Sequence, residues 1–164
     1  MSNVINFEIV TPEKTVMRDV ITQVTVPTKD GEITVLPKHI PLVASLKPGV
    51  IELITEAGEK MIMAVSGGFI EVLKNKVVVL ADSAERAEEI DLDRAEEAHK
   101  RAEEIKKDAR HFDAEQFTHI SAAIAKELAR TKAAKRWRNV KQFSIFNYEL
   151  RVFSDENNFF VISQ

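Results

Sequence analysis

The chain has 164 residues, 45% of them hydrophobic and 30% charged, with a formal net charge of -3. That apolar fraction is enough for one ordinary core or two small ones and excludes a disordered chain, while so small a net charge excludes the broad basic field that draws proteins to nucleic acid. Cysteine is absent, which removes disulfides, thiolate nucleophiles and thiolate zinc sites together.

Met1 to Val10 reads as a strand, without the pattern of a secretory signal or a transit peptide. No later run approaches the ~20 apolar residues that span a bilayer, so any membrane association is expected to be indirect. All five glycines and all five prolines lie between Pro12 and Gly68, so tight turns belong to the first half. Between them stand short β-branched runs: Val20 to Val26, Glu32 to Leu36, Val50 to Ile54, Met61 to Val65, Phe69 to Leu73 and Val77 to Ala81. Lys29-Asp30-Gly31, Glu56-Ala57-Gly58-Glu59 and Lys74-Asn75-Lys76 supply the reversals. Antiparallel pairing into a small sandwich or flattened barrel over residues 1–83 is expected.

From Asp91 the period changes. Ala95, Ala98, Ala102, Ile105 and Ala109 recur at spacings of three and four, one helical stripe. Asp113 followed by Gln116 is a capping-box pattern, with Phe112 and Phe117 placed to close around it. A second helix is expected there, with Phe117, Ile120, Ile124 and Leu128 on one face, and the short link through Arg110 and His111 makes the pair an antiparallel hairpin over residues 84–138. The fold class is therefore α+β, a two-domain chain. An alanine seam offers about 0.8 kcal/mol per methyl, so the hairpin is expected to be marginal. The pattern leaves open whether it opens or stays zipped. Glu96/Lys100, Glu97/Arg101 and Glu103/Lys107 stand at i,i+4 spacing for surface pairs. Residues 139–164 look aromatic and without helical period: a frayed extension, a short hairpin or the product of an altered reading frame.

The chemistry-bearing patterns are sparse. Neither Gly-x-x-x-x-Gly-Lys nor Gly-x-Gly-x-x-Gly occurs, which argues against catalytic ATP hydrolysis. Ser66 precedes Gly67-Gly68 without a nucleophile elbow and reads as a turn residue. Glu115 and His119 at i,i+4 are two ligands, too few for a metal site. His39, between Pro37 and Pro41, has no acid or second histidine close in sequence and reads as an exposed contact residue. Charge placement stands out instead: Lys126, Arg130, Lys132, Lys135, Arg136, Arg138 and Lys141 face only Glu127. This density exceeds what a helix C-terminus attracts through its dipole and suits docking on an acidic partner surface. Two rival readings are a free-standing β-sandwich binding module with a helical appendage and a hydrolase using Ser66 or His39.

Gly31-Glu32-Ile33-Thr34-Val35-Leu36-Pro37-Lys38-His39-Ile40-Pro41-Leu42-Val43, followed by Leu46-Lys47-Pro48-Gly49-Val50, resembles the signatures of F-type ATP synthase epsilon subunits of bacterial type. Val65 to Val72 and Val77 to Asp82 resemble that family's closing strands, and Ile90-Asp91-Leu92-Asp93-Arg94-Ala95 the start of its helical domain. The similarity covers residues 3 to about 136, with Lys38 and Ile40 where Gly and Ala are expected.

The resemblance implies a non-catalytic subunit of the central stalk, peripheral on the cytoplasmic face of the cell membrane. Its partners would be the gamma subunit, the c-ring and the alpha and beta subunits, with no nucleic acid. Glu32 and His39 would face the c-ring. Lys126, Arg130, Lys132, Lys135, Arg136 and Arg138 would meet acidic segments of the catalytic subunits, so that the hairpin inhibits ATP hydrolysis. No cofactor is required, but some members bind regulatory ATP. Ile90, Asp91, Arg94, Ala95, Arg101, Lys126 and Arg130 fit those positions, with Lys126 standing where arginine is expected, a point charge in place of a fork.

Overall fold

The structure, a computed structural model, describes residues 3–107 and 114–157, with side chains as far as residue 143. The elements run β1 (Ile5–Val10), β2 (Thr15–Thr28), β3 (Gly31–Val35), β4 (Leu42–Leu46), β5 (Gly49–Thr55), β6 (Lys60–Val65), β7 (Gly68–Val72), β8 (Lys76–Ala81), β9 (Ala84–Arg86), a 3-10 turn (Ala87–Glu89), α1 (Leu92–Lys107) and α2 (Ala114–Asn157). The expected β-sandwich followed by two helices is what the chain forms. Each foreseen reversal joins an antiparallel pair: β2 with β3, β5 with β6, and β7 with β8.

β1 shows the period-two logic of a half-buried strand. Ile5, Phe7 and Ile9 are buried while Asn6 between them is exposed. It pairs antiparallel with the first part of β2 and parallel with β8, which brings the chain's first and eighth strands together. The 14-residue β2 then continues to β5 and β3, so one long strand serves both layers. Their facing sides bury Phe7, Ile9, Ile21, Val24, Ile51, Leu53, Met63, Ile70 and Val79. Each fully buried large side chain of this kind is worth about 1.5–3 kcal/mol, so the sandwich is the stable body of the molecule.

Two strands lie outside the runs read from the sequence. β4 forms because β7 pairs with it from Leu42↔Val72 to Leu46↔Gly68, a partner no local pattern reveals. β9 pairs with β6 through Val65↔Ala84, so the sheet continues past residue 83 to Arg86. Gly68 is where β7 approaches β8 most closely. Its φ of +118° and the Leu80 carbonyl, which a Cβ would strike, leave room for glycine alone.

The tail takes one of the alternatives the sequence left open, an extension of the second helix. α2 is one helix of 44 residues, and the segment from 139 to 157 continues it instead of forming a hairpin. Helical hydrogen bonds are local and need no amphipathic period, and no glycine or proline follows Gly68 to stop them. Residues 158–164, the cap residues Phe112 and Asp113, the link Arg110-His111, and Ala109 lie outside the described residues.

The helical seam also sits lower than the stripes suggested. Ile105, Phe117 and Leu128 are exposed, and Ala98, Ala102, Ile120 and Ile124 only half-buried. Burial concentrates where the hairpin meets the sheet: Ala95, Ala133 and Ala134 pack with Val50, Ile62, Ala64, Ala87, Ile90 and Leu92, and Trp137 and Val140 lie against this cluster. The hairpin is thus folded down on β5 and β6 through a seam made largely of alanine. Of the three expected α1 pairs, Glu97–Arg101 forms at 3.2 Å, whereas Glu96 turns to Lys135 on α2 and Glu103 lies 4.0 Å from His99.

Candidate interaction site: the docked hairpin and the outer sheet

The Ile90-Asp91-x-x-Arg94-Ala95 segment starts α1. Ile90 and Ala95 are buried in the seam. Asp91 is the N-cap: its Oδ1 accepts from the backbone N–H of Asp93 at 3.1 Å and of Arg94 at 3.2 Å. The side chain of Arg94 is exposed, and that of Arg101 is exposed on Glu97.

Lys126 and Arg130 belong to another setting. Arg130 forks onto Glu85 of β9, Nε to Oε2 at 2.8 Å and Nη2 to Oε1 at 3.2 Å, while its Nη1 donates to Glu127 at 2.9 Å. Glu85 foremost, then Glu127, raise the guanidinium pKa against the opposing effect of desolvation. Lys126 and Arg130 line a cleft of about 240 Å³ with Ser66, Ser83 and Glu85. Ile90, Asp91, Arg94, Ala95 and Arg101 do not line it. The structure therefore divides the seven nucleotide-site candidates between the start and outer surface of α1 and a cleft beneath α2.

The basic patch is divided as well. Lys135 Nζ lies 2.7 Å from Glu96, and Arg136 Nε lies 2.6 Å from Glu52 of β5. Lys126, Lys132 and Arg138 are exposed and make no ion pair among the described residues. Glu32, exposed on β3, lines a groove of about 580 Å³ with Lys47, Lys132, Lys135 and Arg136. His39 sits in the loop between β3 and β4, where its Nδ1 lies 2.8 Å from the Ile40 carbonyl. Ser66 accepts from the Ser83 hydroxyl at 2.8 Å, a neighbour unable to act as a base. Glu115 and His119 stand 3.9 Å apart on the exposed start of α2.

Sequence reasoning missed two features. Glu52, Glu85 and Glu96 are the cations' partners, but they arrive from positions 39 to 84 residues distant, beyond any local spacing rule. The other is an apolar outer sheet face. Phe69 and Leu80 are cross-strand partners, 54% and 53% exposed, and Val43 on the adjoining β4 is 71% exposed. Its signal was present: Val77 to Ala81 is apolar throughout, so both faces of β8 are apolar although only one meets the core.

Residues 4–87 match the family described as ATP synthase, Delta/Epsilon chain, beta-sandwich domain. The ATP synthase epsilon chain of Chloroflexus aggregans is 42% identical over 131 residues, covering 80% of this chain and 92% of that one. That of Syntrophobacter fumaroxidans is 42% identical over 137 residues, 83% of this chain and 99% of the relative. Among solved structures, a chain of the Euglena gracilis mitochondrial ATP synthase, in a structure of OSCP, F1 and c-ring, has the same fold with a TM-score of 0.68. It is 24% identical and covers 79% of this chain and 80% of its own. On the strength of these matches the chain belongs to the epsilon chain family of ATP synthase.

Proposed function

We propose that the chain couples and regulates ATP synthase as a non-catalytic part of its central stalk. The exposed Val43, Phe69 and Leu80 face carries this reading, because an apolar sheet face left open beside a complete core suits a permanent protein partner. The gamma subunit is the partner assigned to it, and the Glu32 and His39 region is assigned to the c-ring. Helix α2, once lifted, presents Lys126, Arg130, Lys132, Lys135, Arg136 and Arg138 to acidic segments of the catalytic subunits and so inhibits ATP hydrolysis. No helix among the described residues is long and apolar enough to cross a membrane; attachment at the cytoplasmic face is assigned to the complex. Truncation after Glu89, which keeps β9, should preserve assembly with gamma and relieve inhibition of hydrolysis. Unchanged hydrolysis in a complex that the full chain inhibits would reject the inhibitory role.

Regulatory ATP is assigned to the same hairpin, with Arg94, Arg101, Lys126 and Arg130 donating hydrogen bonds to its phosphates. Because the docked form divides these residues and commits Arg130 to Glu85, binding should be weak and require local rearrangement. Calorimetric titration should show millimolar-range binding that Arg94→Ala abolishes and Lys126→Arg tightens through a bidentate grip. Heat unaffected by Arg94→Ala would remove the nucleotide from this site.

A further inference from the structure

The cations of α2 are in two states when the hairpin is down. Arg130, Lys135 and Arg136 are held by carboxylates from β9, α1 and β5, at 2.8, 2.7 and 2.6 Å. Lys126, Lys132 and Arg138 project into solvent. Each held pair also has a substitute at hand. Glu52 is bound by Lys60 at 2.6 Å, Arg130 by Glu127 at 2.9 Å on its own helix, and Glu96 has Lys100 one turn along α1.

We propose that Glu52, Glu85 and Glu96 form an internal acidic surface that occupies Arg136, Arg130 and Lys135 in the docked hairpin and competes for them with an acidic protein partner. Lys126, Lys132 and Arg138 make that partner's first contact. This rests on the reading of α2 as the element that meets acidic segments. Exchange is feasible because partly exposed pairs are individually weak, because the seam beneath them is largely alanine, and because Glu52 and Glu96 each keep a nearby cation when α2 lifts, while Glu85, already partly exposed, is returned to water. Glu52 Oε1 is the strictest case: it is buried without a well-formed hydrogen bond and is balanced by Arg136. Lifting α2 returns it to water with Lys60 still bound.

Trp137, the single tryptophan, lies half-buried against the seam and reports docking. The test compares the full chain with its Glu52→Gln/Glu85→Gln/Glu96→Gln variant, using acrylamide quenching of Trp137 and binding of a synthetic glutamate-rich peptide. The variant should be quenched more strongly and bind the peptide about fivefold more tightly, in line with three weak pairs lost. Parent-like quenching, or stronger quenching without tighter peptide binding, would overturn the competition. The reversed pair Glu96→Lys/Lys135→Glu keeps the attraction and should quench like the parent, while quenching as strong as in Glu96→Gln alone would overturn the assignment to pairing. The underlying reading fails on a different variant: peptide binding at full strength after Lys126→Gln/Lys132→Gln/Arg138→Gln would show that these cations do not receive an acidic partner.

Discussion

Asp91 shows how one residue can satisfy a family motif and a local structural need together. Its carboxylate takes the orphan N–H groups of the first turn of α1, and its charge is favoured at that end of the helix. Asp91→Ala should therefore destabilise the hairpin by about 1 kcal/mol, whereas Asp91→Asn, which still caps, should cost only a few tenths. Chemical denaturation followed at Trp137 separates the two variants; equal loss in both would show that charge, not capping, is what Asp91 supplies. The start of α1 was legible from sequence as the change of period at Asp91, whereas the capping bonds of its carboxylate appear only in the structure. Arg130 was legible only as a charge. Its fork onto Glu85 depends on β9, a three-residue strand that exists because β6 offers it an edge.

At the scale of elements, α2 is held by a thin apolar seam and by ion pairs, and these respond differently to pH. Lys135 holds the Glu96 carboxyl below its ordinary value of 4.5, first through their hydrogen bond and then through charge. A carboxyl depressed in the folded state binds protons less readily there than in the unfolded chain. Its stabilising effect is therefore complete above that ordinary value and is lost as pH falls through the lowered one. Glu8, held down by Lys76 and then Arg18, behaves likewise where β1 meets β8 and β2. Between pH 6 and the acid range, Trp137 emission should shift to the red below about pH 4.5, and Glu96→Gln should diminish the shift. A transition of the same size in Glu96→Gln would place the titrating group elsewhere.

For the whole molecule, the outer sheet face is the feature with the clearest separation between folding and association. Phe69 and Leu80 contribute little to a core they do not face, so Phe69→Gln/Leu80→Gln should change unfolding free energy by no more than about 1 kcal/mol. Recovery with the gamma subunit on co-expression should fall by more than tenfold. Undiminished recovery with unaltered stability would assign gamma to a different surface.

Local chemistry in the sequence was sufficient for much of the architecture: turn residues confined to the first half, β-branched runs between them, and a change to helical period at Asp91. These depend on interactions within a few residues, as does the charge density of α2. Tertiary structure alone decided which face of α2 is buried, because Ala133 and Ala134 are selected by Val50, Ile62 and Ala64 of the sheet and not by the stripe on the helix itself. It alone decided that β4 and β9 are strands, that the tail prolongs α2, and that three of the patch's cations are already occupied. Each of these outcomes depends on partners dozens of residues away, or on the absence of anything to end a helix, and neither leaves a periodic mark on the chain.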